Sequence, residues 1–316
     1  MPRLAALLAS SLICATSLVA QTTKPKTKFP PGYTPGVTTI TSFDKEHTVI
    51  GWLELVPFES KIFHNTRLLR VLVPANYFSP HNAHRSYPVL YMQDGQHLFD
   101  EASSPQGEWH MDETVEHLVG SFKIPPLFVV GIDNAGDRRD FEYLPYPDPV
   151  YNQVSEQDAL GKEYARFLTT EVMPFIEKRY RISRGAMNTG IGGSSYGADV
   201  ALYTVLEHPT VFGHVLLESP ELRIGDRQLL NDAEKAKQLP QKIYVGIGTK
   251  EGSDPMRSTQ MVDEVRELES ILVKKGMGPT RLRIAIEEGA QDNEAAWSRR
   301  LPDALLFLYG TELPKH

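Results

Sequence analysis

The sequence predicts an α/β protein whose central sheet is mostly parallel and carries helices on both faces. Two observations carry that expectation. Short, dense apolar runs bounded by Gly, Pro or Asp recur along the chain, as strands buried on both sides do. Between them lie amphipathic segments, among them one whose Met261, Val262, Val265, Leu268 and Leu272 share a face at helical spacing. Ligands of such sheets bind at the carboxyl ends of the strands, where these runs end in polar turns.

The first 20 residues combine Arg3, an apolar run from Leu4 to Val19 and a small Ala20, the pattern of a secretory signal peptide cut after Ala20. Residues 21–43, rich in Pro, Thr and Lys, are expected to form a flexible tether. Residues 44–316 then make one domain. Its early strands, Val49 to Val56 and Arg67 to Val73, form an antiparallel start. The buried strands follow as "YPVLYMQDG", "PLFVVGIDN", "NTGIGG", "HVLLESP", "KIYVGIGTKEG" and "RLRIAIEEG". The single cysteine, Cys14, lies in the leader, so the mature chain has no disulfide. A net charge of -7 gives phosphates no excess of positive charge to bind, which argues against a nucleic-acid partner. After leader removal no stable membrane insertion is expected.

"GIGGSSYGADVAL", residues 190–202, places Ser195 in a Gly-x-Ser-x-Gly turn between a strand and a helix that buries Ala198, Leu202, Val205 and Leu206. A sharp turn brings backbone segments close, so Gly193 and Gly197 are the neighbours an exposed nucleophile needs. The Tyr196 N–H, at the start of that helix, is a candidate oxyanion donor. A second donor is expected from the turn "QDGQHLFD", with Gly95 and Gln96 as candidates. Glu251 stands at a later strand end, where the acid of a triad belongs, although a loop carboxylate can equally be only solvated.

These segments, together with "VLYMQDGQHLFD", "GEWHMDETVEHL", "GIDNAGDRRDFEYLPY", "YARFLTTEVMPFIEKRYRIS" and "NEAAWSRRLPDALLFLYG", resemble in matching order the esterase family of α/β hydrolases. That family includes enterochelin-type, feruloyl and acetyl xylan esterases, S-formylglutathione hydrolases and mycolyltransferases. The resemblance spans about Val49 to Gly310. It implies an α/β hydrolase fold, Ser195 as nucleophile, Glu251 as the triad acid and no cofactor. It also implies a histidine just before "NEAAW", where this chain has Asp292.

A serine hydroxyl needs a base of near-neutral pKa that can hand the proton on to the leaving group. An aspartate of intrinsic pKa about 4 is a weak one, and the nearby Glu251 charge should raise the pKa of one member of the pair. Three readings follow. One is a secreted, periplasmic or extracellular serine esterase with an atypical proton relay, acting on a small-molecule or carbohydrate-linked ester. The second is a catalytically weak or inactive binding protein of hydrolase fold, and the third an acyltransferase. A metal hydrolase built on Asp292 and Glu251 lacks His-rich spacing. His97 and His110 are candidate rim residues and alternative bases. Arg139 is a rim candidate that could instead pair internally with Glu142, and Trp297 could close the acyl side or simply pack.

Overall fold

The computed structural model describes residues 37–149 and 154–310. The expected leader and its cleavage site lie outside the described residues, as does the tether up to residue 36. Nine strands among the described residues form one sheet: β1 Thr38–Thr41, β2 Trp52–Glu59, β3 Thr66–Leu72, β4 Val89–Gln93, β5 Phe128–Ile132, β6 Thr189–Ser194, β7 His214–Glu218, β8 Lys242–Gly248 and β9 Leu282–Glu287. Their order is β1-β2-β3-β5-β4-β6-β7-β8-β9. The β1-β2-β3-β5 side is antiparallel. From β5 across to β9 every pair is parallel.

The first strand corrects the expected boundary, because Thr38–Thr41 falls within the predicted tether and pairs with β2. All four of its residues are β-branched, which suits a pleated edge. Only Ile40 is buried, so no apolar period marks the strand in the sequence.

The helices are α1 Met111–Gly120, α2 Arg139–Tyr143, α3 Gly161–Phe167, α4 Met173–Arg179, α5 Tyr196–Glu207, α6 Ile224–Lys235, α7 Pro255–Lys274 and α8 Glu294–Tyr309. The sheet is buried on both sides, and β4 shows how. Val89 and Tyr91 join the core under α3, α4, α5 and α7, while Leu90 and Met92 join the opposite core under α1 and α8. This is the period-2 alternation of a strand covered twice. Four of the five face residues predicted for α7 are fully buried, and Val262 is partly buried against the same core. Among the described residues no helix is long and apolar enough to cross a membrane.

The topology also locates the ligand crevice. From β4 the chain crosses to β5 on one side and then returns to β6 on the other. Two connections that leave in opposite directions open a crevice at the carboxyl ends of β4 and β6. The turns beyond those ends begin at Asp94 and Ser195.

Candidate active site

Ser195 sits between β6 and α5 with φ 52° and ψ −129°. A non-glycine residue held there is strained, and the surroundings must enforce it. They do so through a hydrogen bond from the Ser195 N–H to the Glu218 carbonyl (2.9 Å) and through close backbone packing. A Cβ on Gly193 would stand 2.5 Å from the Gly197 carbonyl oxygen, so the turn closes only with glycine at 193. Ser195 remains half-buried, and Tyr196 opens α5 as expected.

The facing turn, residues 95–97, follows Asp94, which takes φ 55°. Gly95 packs against β5 so closely that a Cβ would come within 2.6 Å of the Gly131 carbonyl carbon. Its identity therefore answers to packing, whatever its N–H does. Gln96 is held from both ends: its side-chain oxygen accepts from the Asn134 N–H (3.2 Å) and its carbonyl from Ser103 Oγ (2.8 Å). Ser103 in turn accepts from Arg70, whose guanidinium also grips Asp133 at 2.7 and 3.1 Å. This chain of bonds fixes the backbone of the turn relative to the sheet.

Glu251 and Asp292 lie on turns that are bonded to each other. The Lys250 N–H donates to the Ala290 carbonyl (2.9 Å) and the Thr249 N–H to the Glu287 carbonyl (3.1 Å). Glu251 folds back so that its carboxylate accepts from the Gly248 N–H. Asn293 caps α8 through the Ala296 N–H (3.0 Å) and so fixes the start of the helix directly after Asp292. Burial raises the Glu251 pKa, against the Ser219 hydroxyl and the Gly248 N–H. Burial, then the Glu251 charge, push Asp292 up to about 7. Asp292 Oδ1 is buried and makes no hydrogen bond.

A cavity of about 150 Å³ opens beside this arrangement, lined by Asp94, His97, Trp109, Asn134, Arg139, Ser194, Glu294 and Trp297. Three of the four expected rim residues are there. His97 shares Nδ1 with Ser104 Oγ (2.7 Å), and Ser104 donates onward to the Gly107 carbonyl. That assigns the Nδ1–H tautomer and leaves Nε2 as an acceptor. Trp297 lines the cavity and packs against Trp109 (centroids 5.3 Å apart), while its Nε1–H donates to Ser219 Oγ (3.0 Å).

Two expectations need correction. Arg139 pairs with Asp94, not Glu142, through Nε to Oδ1 and Nη2 to Oδ2, both 2.8 Å. Glu142 is instead buried in a two-bond grip from Arg67 at 2.8 and 3.0 Å. The reason is that α2 turns Glu142 and Tyr143 inward and leaves Arg139 on the crevice side. Burial pushes Asp94 up, but the Arg139 charge and hydrogen bonds outweigh it, and the carboxyl is held below its usual range. His110 is not among the cavity-lining residues. At φ 52° it starts α1, with Trp109 on the cavity side and its own Nδ1 turned towards Glu108 and Glu113.

Sequence reasoning missed Asp94 as the anchor of Arg139, and it missed the buried pair Glu218–Arg300 beneath Ser195 (2.7 Å). The second had a signal at one end only, since Glu218 is a charge closing the apolar run "HVLLE", whereas Arg300 sits in the polar stretch "SRRLPD".

Comparison with known proteins agrees with this architecture. The chain is 24% identical over 226 residues to the uncharacterized protein YbbA of Bacillus subtilis (strain 168), covering 71% of this chain and 86% of that protein. The BES protein from Bacillus cereus superposes with a TM-score of 0.62 at 18% identity, covering 81% of this chain and 94% of that one. The CE1 ferulic acid esterase from Anaeromyces mucronatus gives 0.60 at 19%, covering 88% and 95%. Residues 60–308 match the esterase family described as "Putative esterase". With this match, the mostly parallel sheet and the serine at its crevice, the chain belongs to that esterase family and has the α/β hydrolase fold.

Proposed function

We propose that this carboxylic ester hydrolase works through an acyl-Ser195 intermediate, with Asp292 as the proton acceptor in place of an imidazole. The observation that carries the reading is a strained, half-buried Ser195 after β6 and a carboxyl raised to about 7 on the turn after β9, both beyond the carboxyl edge of the same parallel strands. A base with a pKa near the working pH is the kind general-base catalysis needs. The Asp292 carboxylate takes the Ser195 proton as Oγ attacks the ester carbonyl. The developing oxyanion is met by the Tyr196 N–H and the Gly95–Gln96 turn, and the carboxylic acid then protonates the leaving alkoxide. Water repeats the cycle on the acyl group. Glu251 acts through its charge, which helps keep the Asp292 carboxyl near neutrality.

The cavity of about 150 Å³ has room for about five waters at their liquid volume, which suits a compact acyl group. Its two indoles offer apolar faces, and Arg139, held by Asp94, offers a fixed positive edge. The ferulic acid esterase named above suggests aryl esters, of small molecules or carbohydrates, as substrates to try first.

The test is the pH profile of p-nitrophenyl acetate hydrolysis. The base works ionised, so kcat should rise with pH through about 7, the value set by the raised Asp292. Asp292→Asn should remove that rise, and Ser195→Ala should abolish turnover. A rate that is flat across pH 6 to 8, or one that survives Ser195→Ala, contradicts the reading. The lack of a hydrogen bond at Asp292 Oδ1 favours a second reading, a slow hydrolase that mainly binds its ester. Ester binding by Ser195→Ala, with negligible turnover by the unmodified protein, would support it.

The same reading extends to export to the periplasm or medium, on the strength of Arg3, the apolar run and Ala20. Protein recovered there should begin at Gln21. A chain still beginning at Met1 refutes cleavage.

A further inference from the structure

The segment "EWHMDE", running into the first turn of α1, brings three metal-type donors together outside the catalytic arrangement. His110 Nδ1 stands 3.5 Å from an oxygen of Glu108 and 3.5 Å from an oxygen of Glu113. One donor atom from each residue lies within 4.8 Å of the other two. A separation of 3.5 Å is long for an N–H···O bond. It fits the edge of a tetrahedron around a cation with bonds of about 2.1 Å, which is about 3.4 Å.

A second observation concerns Glu108 itself. Its side chain is fully buried, with residue exposure of 2%. Oε1 accepts from Thr48 Oγ1 (2.8 Å), while Oε2 has no hydrogen-bond partner. Among the described residues no lysine or arginine pairs with Glu108 or Glu113; the ion-pair partner of each is His110. A buried carboxylate with an unsatisfied oxygen and no fixed cation beside it calls for positive charge. The Thr48 hydroxyl donates to the same Oε1 that faces His110 and so orients this carboxylate, as groups outside a coordination sphere commonly do. Asp112 is wholly buried, accepts from the Ile50 N–H (2.6 Å) and shares a side-chain hydrogen bond with Glu113, so it stands behind that residue and does not face His110 as a ligand.

We propose that Glu108, His110 and Glu113 bind one divalent transition-metal ion of the zinc type, with water completing the coordination. One imidazole nitrogen with two carboxylate oxygens suits zinc, whereas calcium takes six to eight oxygens and magnesium holds its waters in an octahedron. The ion ties the loop before α1 to the helix itself. Trp109 lies between two of the ligands, so the ion also braces the indole that lines the cavity and stacks on Trp297. The site does not depend on how Ser195 is activated.

Tag-free, chelator-treated full-length protein is titrated with Zn2+ by calorimetry and with Co2+ by visible absorption. Expected are one equivalent of Zn2+ and the intense d–d bands of a near-tetrahedral Co2+ site. His110→Ala and Glu113→Gln should each weaken binding at least about tenfold. Both side chains are partly exposed, 47% for His110 and 35% for Glu113, so the variants should fold, which circular dichroism checks. No saturable binding by the unmodified chain, or unaltered affinity in either variant, overturns the proposal. In the unaltered case His110 simply packs between two carboxylates.

Discussion

Asp292→His should raise the turnover of a short-chain p-nitrophenyl ester by about 10² or more, the lower range for a well-placed general base. In subtilisin, loss of the triad histidine costs about 10⁶ in turnover, and what remains comes from the oxyanion hole and binding. The unmodified chain should lie between those limits, because its carboxyl is raised by burial and by the Glu251 charge to about 7. An imidazole at 292 would find an acid in place, since the turns carrying positions 251 and 292 are bonded through Lys250 and Ala290. Glu251 could then accept the Nδ1–H and leave Nε2 for Ser195. Adding Ser195→Ala to the Asp292→His variant should abolish the gain. A different outcome would be a fast unmodified enzyme that His97→Ala inactivates. That would move the base to His97, whose Nε2 is an acceptor beside the same cavity. An inert Asp292→His across acetyl, feruloyl and siderophore-type esters would favour the binding reading.

How much of this was legible in the sequence depends on which forces place each residue. The buried strands and α7 were readable because burial on one or two faces writes a period into the chain. Ser195 was readable because a strained turn requires glycine at 193, and the packing around Gly197 shows the same local demand. β1 was not, since an edge strand with one buried residue leaves no period. Ion-pair partners were the least legible. Arg139 and Glu142 are three apart, as helical neighbours are, yet α2 has only five residues and each side chain finds a better partner in another element. Such pairing is decided by tertiary packing, and local spacing carries little of it. His110 shows the same thing at a single residue: the segment was placed correctly, but a left-handed backbone at the start of α1 turns its ring away from the cavity. The expectation attached to position 292 came from family resemblance alone, because a lone aspartate before a helix is otherwise read as a cap or a solvated charge.

The buried pair of Glu218 and Arg300 leads to the largest stability effect. Arg300→Met should destabilise the fold by about 3–5 kcal/mol near pH 8, the usual result of stranding a buried charge. Glu218 at the end of β7 is wholly buried, and Arg300 of α8 supplies its counter-charge through Nε (2.9 Å) and Nη2 (2.7 Å). Burial still pushes the Glu218 carboxyl up to about 7, with Arg300 opposing the rise. Without Arg300 it would titrate higher. A carboxyl whose folded pKa lies above its unfolded value loses stability as pH climbs through that folded pKa. The deficit should therefore be smaller near pH 5, where Glu218 is protonated in both proteins, than at pH 8, by up to about 1.4 kcal/mol for the one unit above a folded pKa of about 7. Urea unfolding at the two pH values measures it. Glu218→Gln together with Arg300→Met should recover most of the loss, because no charge is then left unpaired. A single variant within about 1 kcal/mol of the parent at pH 8, or a double variant no better than the single, would contradict this account. The pair also bears on catalysis, since the Glu218 carbonyl receives the Ser195 N–H and Arg300 holds α8, with Asp292 before it, to β7 and to Glu287 of β9. Loss of the pair should therefore lower kcat more than it raises KM.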